Sequence, residues 1–237
     1  MRTKCVQIVF VLFFIAAMSG TTARAQAAAS SSAQTSAASS AQTAPQAPAR
    51  KAPRSMAETD LSFSFYRAFT SSTSGNDTLQ TPFDSNGGMV ELRHIQSPLI
   101  GYEVTYADNI ADQAYAPNPG ACGFLCATPP IKLHATGSQV GLDWVISDKM
   151  GALSPFAVAG MGFFINMPSL DLGNINTAVR PMWIYGGGLD WGFSRRMGIR
   201  DQYRGNVYKA PDLDANFNAT GKFTQSREPM IGVYFRL

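Results

Sequence analysis

The stretch Trp183–Arg204 reads WIYGGGLDWGFSRRMGIRDQYR and contains two alternating patterns joined by a short link. In its first half, Trp183, Tyr185, Leu189 and Trp191 alternate with Gly186, Gly188 and Asp190. Its second half alternates Ile199 and Tyr203 with arginine and glutamine. A period of two residues predicts a β-strand, and the short link at 194–196 predicts that the two strands are antiparallel neighbours.

The same period recurs from Leu61 to the last residue, and no helical period of useful length interrupts it. Eight segments carry the strand pattern: 61–69, 90–93, 101–106, 140–146, 156–164, 183–191, 199–204 and 231–237. The links between them alternate in length, with short ones near 96–98, 147–151 and 194–196 and long ones near 70–86, 108–131, 166–180 and 209–226. Short turns at one end and long loops at the other are typical of an antiparallel up-and-down transmembrane β-barrel. The fold class is therefore predicted to be all-β, as an eight-stranded barrel.

The two faces of these strands differ in chemistry. Large apolar and aromatic side chains share one face, and glycine, serine and charged residues share the other. An eight-stranded barrel encloses an interior only wide enough for side chains, so Trp144 and Trp183 suit its outer wall. The apolar face is therefore predicted to contact lipid. The alternative is a soluble barrel with the faces reversed, which would hold one apolar ligand.

The first 57 residues have the composition of targeting and linker segments. Arg2 and Lys4 precede an apolar run of 12 residues at 6–17, and Ala23-Arg24-Ala25 fits a cleavage site. This pattern predicts a signal peptide over 1–25, because the run is too short to span a bilayer. Residues 26–57 are rich in Ala, Ser, Gln and Pro and predict a disordered linker. The barrel domain is then expected over 58–237.

The distribution of charge argues against a nucleic-acid partner. The net charge is +3, but residues 1–57 hold six basic residues and no acidic one, which leaves −3 for the remaining 180 residues. No basic stripe alternates with stacking aromatic residues, as a nucleic-acid surface requires.

Two cysteines, Cys122 and Cys126, lie in the longest predicted loop of an exported chain. An oxidising compartment favours a disulfide between them. A zinc site would need two more ligands at matching spacing, and neither His94 nor His134 supplies that spacing. The sequence predicts no metal and no cofactor.

Four stretches resemble the small bacterial outer-membrane β-barrel family of the OmpA or OmpX type: SPFAVAGMG at 154–162, GGGLDWGF at 186–193, MGIRDQYRG at 197–205 and GVYFRL at 232–237. The resemblance covers about 58–237. It implies location in the bacterial outer membrane, contact with outer-membrane lipid, and insertion by the barrel-insertion machinery. Such barrels end in an aromatic residue, whereas this chain ends in Leu237 with Phe235 two positions earlier.

The polar face carries equal numbers of acidic and basic residues. The predicted lumen network consists of Glu91, Arg93, Glu103, Asp143, Asp190, Arg200, Arg204 and Arg236. Because an unpaired buried charge is costly, these groups are expected to pair and plug the lumen. Arg200 and Arg204 are expected to bind Asp190 or another of the lumen acids. Paired carboxylates also suit acid–base catalysis, which is the alternative interpretation of this face.

The predicted function is structural or surface-interacting, without enzymatic activity and with an unidentified loop ligand. A narrow porin-like channel is the first alternative. A lipid-modifying outer-membrane enzyme is the second, because His134-Ala135-Thr136 places a histidine beside a hydroxyl group. Gly186-Gly187-Gly188 is not a phosphate loop, because no helix pattern follows it.

Overall fold

The computed structural model describes residues 57–118, 129–168, 177–213 and 217–237, and every regular element in these ranges is a β-strand. The strands are β1 (Glu58–Thr70), β2 (Thr73–Gly75), β3 (Thr78–Pro82), β4 (Ser85–Ser97), β5 (Ile100–Ile110), β6 (Gln113–Pro117), β7 (Ile131–Leu133), β8 (Ala135–Ser147), β9 (Leu153–Pro168), β10 (Ala178–Gly192), β11 (Met197–Lys209) and β12 (Phe223–Arg236). No helix in the described ranges is long and apolar enough to cross a membrane.

Eight of these strands close into a barrel. Their order around the barrel is β1-β12-β11-β10-β9-β8-β5-β4, and β1 pairs with both β12 and β4 in antiparallel register. The predicted fold, an eight-stranded antiparallel up-and-down barrel, is confirmed. Short connections at 98–99, 148–152 and 193–196 lie at one end, which we call the short-turn end. The other end, where the longer connections lie, is the long-loop end.

A second sheet was not predicted from the sequence. It has the order β2-β3-β6-β7 and is built from the connections at 71–84 and 111–134. This order matches that of β1, β4, β5 and β8 in the barrel. The chain passes from β1 into β2 and from β5 into β6, and it returns to the barrel from β3 into β4 and from β7 into β8. The Phe83 N–H donates to the Asp112 carbonyl (3.0 Å), and the Ala111 N–H donates to the Ala135 carbonyl (2.7 Å). These two bonds pair the residues that lie between the barrel wall and the second sheet.

The outer wall of the barrel is apolar. Trp144, Trp183 and Trp191 point outward and are 58%, 63% and 53% exposed, and phenylalanine, leucine, isoleucine and valine side chains surround them. Buried positions on the same strands carry acidic, basic, hydroxyl and amide side chains. The face assignment made from the sequence agrees with this arrangement.

An apolar cluster lies across the long-loop end. Leu213, from the connection between β11 and β12, clusters with Tyr115 of the second sheet and with Phe164 of β9. The Gln80 side-chain amide and the Tyr115 hydroxyl both donate to the Pro211 carbonyl, each at 3.1 Å. The second sheet and this connection are thereby held together over the lumen.

Candidate functional site

Arg200 on β11 is the centre of the ion-pair network in the lumen. Its side chain is completely buried. Its Nε donates to Asp190 Oδ1 (2.8 Å) and its Nη2 donates to Asp190 Oδ2 (2.9 Å). The two residues face each other on neighbouring strands in the register of β10 and β11. This is a bidentate pair, the arrangement that best matches a guanidinium group to a carboxylate.

The same guanidinium group also reaches two further strands. Its Nη2 donates to Asp60 Oδ1 on β1 (2.9 Å), and its Nη1 donates to the Ser62 hydroxyl (3.1 Å) and to Glu91 Oε2 on β4 (3.3 Å). The Ser62 hydroxyl in turn donates to Glu91. Arg200 thus makes five hydrogen bonds to residues on three strands, which matches the five N–H donors of arginine.

Arg204 crosses the lumen. Its Nη2 lies 2.8 Å from Asp143 Oδ2 on β8 and donates to the Thr105 hydroxyl on β5 (2.9 Å). In the ring of eight strands, β5 lies opposite β11. Arg93 on β4 donates from Nε to Glu103 Oε2 (2.6 Å), and Glu103 Oε1 lies 3.6 Å from Arg204 Nη1. One continuous network therefore connects opposite walls.

Aromatic rings lie beside the network. The guanidinium carbon of Arg93 is 3.9 Å from the centre of the Phe156 ring, and that of Arg200 is 5.5 Å from it. The Tyr234 ring lies 5.4 Å from the Arg200 guanidinium carbon. Such cation–π contacts stabilise desolvated arginine. Charged and aromatic side chains together fill this section of the lumen.

Glycine on the facing strands leaves room for these large side chains. A Cβ at Gly141 would lie 2.8 Å from Arg204 Nη2, and a Cβ at Gly160 would lie 2.3 Å from Asp143 Oδ1. Both distances are shorter than van der Waals contact. At Gly141 and Gly160, a larger residue would thus collide with the charged groups that the lumen holds.

Seven of the eight predicted lumen residues lie together in this network: Glu91, Arg93, Glu103, Asp143, Asp190, Arg200 and Arg204. Arg236 lies elsewhere. It is the last residue of β12, at the short-turn end, where it forms an ion pair with Glu58 and donates to the Tyr234 hydroxyl (3.4 Å). Its side chain is 23% exposed, because the strand ends there.

The sequence interpretation missed two buried acids, Asp60 and Glu228. Both continue an alternation that was recognised, and each lies beyond the predicted end of its strand. Asp60 lies two residues before Ser62 on β1, and Glu228 lies four residues before Gly232 on β12. Extending both strand patterns outward would have found them.

Other candidate residues lie outside the network. His134 Nδ1 is 2.8 Å from Asp112 Oδ2, and the His134 side chain is 78% exposed. His94 Nδ1 is 2.7 Å from the Thr59 hydroxyl. The described residues contain no group of three metal-ligating side chains. Cys122, Cys126 and the predicted signal peptide and most of the linker lie outside the described residues.

No protein-family profile and no curated protein matches the chain. Among solved structures, it is similar to the Neisserial surface protein A, at 11% identity and a TM-score of 0.51, over 76% of this chain and 97% of that one. It is also similar to the outer membrane protein OprG of Pseudomonas aeruginosa, at 9% identity and a TM-score of 0.52, over 77% and 97% of the two chains. These similarities show that the fold is that of the small outer-membrane β-barrels.

Proposed function

We propose that the chain is an integral outer-membrane protein whose barrel spans the bilayer and whose lumen is closed by buried ion pairs. The observation that carries this proposal is the inverted distribution of side chains. Arg93, Arg200 and Arg204 are buried, whereas Trp144 and Trp183 are exposed. A water-soluble protein buries the residue types that this barrel exposes.

The closed wall supports the same conclusion. Because β1 pairs with both neighbours, the barrel has no unpaired sheet edge, and a bilayer tolerates only such closed sheets. The aromatic residues also lie near both ends of the strands. Trp144 and Trp191 lie towards the short-turn end, whereas the exposed Phe69 and Phe223 lie at the long-loop ends of β1 and β12. Aromatic girdles at both interfaces are typical of membrane barrels.

The ion-pair network supports a structural role for the lumen. Arg204 connects β11 with β8 and β5, so its side chain lies across the path that a conducting pore would need. The long-loop end, which carries the second sheet, is then the part available for contacts with other molecules. We assign the protein a structural or surface-interaction role without catalysis. Outer-membrane lipid and the barrel-insertion machinery are its proposed partners.

Fractionation tests the proposed location. After expression in a Gram-negative host, the protein should sediment with outer membranes and resist extraction at high pH. Its unboiled form should migrate differently from its boiled form on a gel, because a closed barrel resists detergent until it is heated. A protein found in the soluble fraction without detergent would support the soluble barrel with a ligand and contradict the proposal.

Planar-bilayer recording separates a plugged barrel from a narrow porin-like channel. The purified barrel should insert without producing single-channel steps. Stable, reproducible conductance steps from the wild-type protein would contradict the plug and favour the channel.

A further inference from the structure

The buried charges of the lumen are unequal in number. Among the described residues, the buried acids are Asp60, Glu91, Glu103, Asp143, Asp190 and Glu228, and the buried bases are Arg93, Arg200 and Arg204. The internal segments outside the described ranges, 119–128, 169–176 and 214–216, contain no Lys, Arg or His in their sequence. Since an uncompensated buried charge is costly, each acid in excess of the three arginines must hold either a proton or a cation.

Among these buried acids, Glu228 is the one that forms no ion pair with any of the three arginines. It is completely buried on β12. Its Oε1 accepts hydrogen bonds from Gln139 Nε2 (3.0 Å) and from the Ser226 hydroxyl (2.9 Å). Its Oε2 has no hydrogen-bond partner among the described residues. Arg204 forms its ion pairs with Asp143 and Glu103 instead, and no described Lys or Arg nitrogen lies within 4.0 Å of Glu228.

A small cavity adjoins this carboxylate. Its volume is about 20 Å³, and oxygen-bearing side chains line it, among them Ser85, Asn109, Gln139 and Ser226. Asn109 Oδ1 also has no hydrogen-bond partner among the described residues. Two side chains that line the cavity, those of Glu228 and Asn109, thus each carry one buried oxygen atom without a hydrogen-bond partner among the described residues. Its volume suits one species about as large as a water molecule.

Part of the cavity lining comes from the place where the second sheet leaves the barrel wall. Phe83 and Asp112, which lie between the two sheets and share a backbone hydrogen bond, are among its lining residues. Asp112 is partly exposed, and its carboxylate accepts a hydrogen bond from the Ala135 N–H (3.2 Å). Its Oδ2 also lies 2.8 Å from His134 Nδ1. A partly solvated carboxylate in the lining adds to the negative potential that attracts cations from solution.

We propose that this cavity binds one small monovalent cation, of the size of Na⁺, with Glu228 as its counter-charge. One fully buried carboxylate balances one positive charge. A divalent ion beside this single carboxylate would keep one positive charge uncompensated. Mg²⁺ also keeps several of its waters, for which a cavity of about 20 Å³ has no room. The bound cation would stabilise the part of the lumen nearer the long-loop end and add to the closure that Arg204 provides.

The test measures how the urea unfolding midpoint depends on the concentration of Na⁺. The full chain is folded in non-ionic detergent and unfolded in urea at fixed pH and ionic strength, with Na⁺ replaced stepwise by choline, which is too large for the cavity. The unfolding midpoint of the wild type should fall as Na⁺ is removed, whereas that of Glu228→Gln should stay constant. The control Asp148→Asn removes one exposed acidic charge from a turn and should keep the wild-type dependence on Na⁺.

A measurement on the wild type alone covers the case in which Glu228→Gln does not fold. In a solution of the folded protein in non-ionic detergent, the ²³Na resonance of the sodium ions should be broadened. Added ammonium, but not added choline, should reverse this broadening. A wild-type midpoint that does not depend on Na⁺, a Glu228→Gln variant with the wild-type dependence, or a ²³Na line that ammonium leaves unchanged would each overturn the proposal.

Discussion

Replacing Arg200 by methionine is the most informative change to the lumen network. Methionine keeps an unbranched apolar chain but removes all five donors, which leaves the carboxylates of Asp190, Asp60 and Glu91 without this partner. Removing one member of a buried ion pair costs about 3–5 kcal/mol, because the remaining charge stays buried and uncompensated. Since Arg200 donates hydrogen bonds to all three acids, we expect a loss in the free energy of unfolding at the upper end of that range.

Urea unfolding in lipid vesicles, followed by tryptophan fluorescence and by the migration of unboiled samples on a gel, measures this loss. The matched control is Arg196→Met, which changes an exposed arginine in the turn before β11 and should unfold at the wild-type midpoint. Adding Asp190→Asn to Arg200→Met should recover part of the loss, because one uncompensated charge is removed. If Arg200→Met lowers the free energy of unfolding by less than about 1 kcal/mol, the network does not hold the barrel together.

Three further predictions concern the wall, the loops and the export signal. Leu142→Arg, on the outer face near the middle of β8, should destabilise the barrel in lipid by about 2–4 kcal/mol. The control Ala152→Arg, in a turn, should insert normally. Equal folding yields for the two variants would show that the wall is inverted. Cys122 and Cys126 should form a disulfide that contributes little to stability, because the ring is small, and maleimide labelling of two thiols in the unreduced protein would refute it. N-terminal sequencing of the exported protein should begin at Gln26, and a mature chain that begins at Met1 would rule out cleavage.

The barrel was predictable because its two faces differ so strongly in chemistry. Along β10, Trp183, Leu189 and Trp191 alternate with glycine and Asp190, and this alternation both defines the strand and assigns its faces. The pairing of Arg200 with Asp190 then follows from a two-residue period and a short turn. Local sequence is sufficient for such contacts, because adjacent strands of a hairpin are close in the chain.

The second sheet and the ends of the strands could not be predicted in the same way. Thr78 and Gln80 of β3 are buried polar residues, so their strand lacks the apolar alternation that identifies a membrane-facing wall. Glu228, which lies outside the predicted segment 231–237, and Arg236, the last residue of β12, show the same difficulty. The pattern of Ile231 and Val233 marks the middle of the strand, but it does not show how far the strand extends or where the lumen ends. The contacts of Arg204 with β5 and β8 depend on barrel closure, which joins residues distant in sequence.

Intrinsic tryptophan fluorescence tests the orientation of the barrel wall most directly. The chain has three tryptophans, Trp144, Trp183 and Trp191, and all three are exposed on the outer face. In vesicles whose acyl chains carry bromine, their emission should be strongly quenched, whereas aqueous acrylamide should have little effect. Efficient quenching by acrylamide, with no quenching by the brominated lipid, would place these side chains in water and contradict a membrane-spanning barrel.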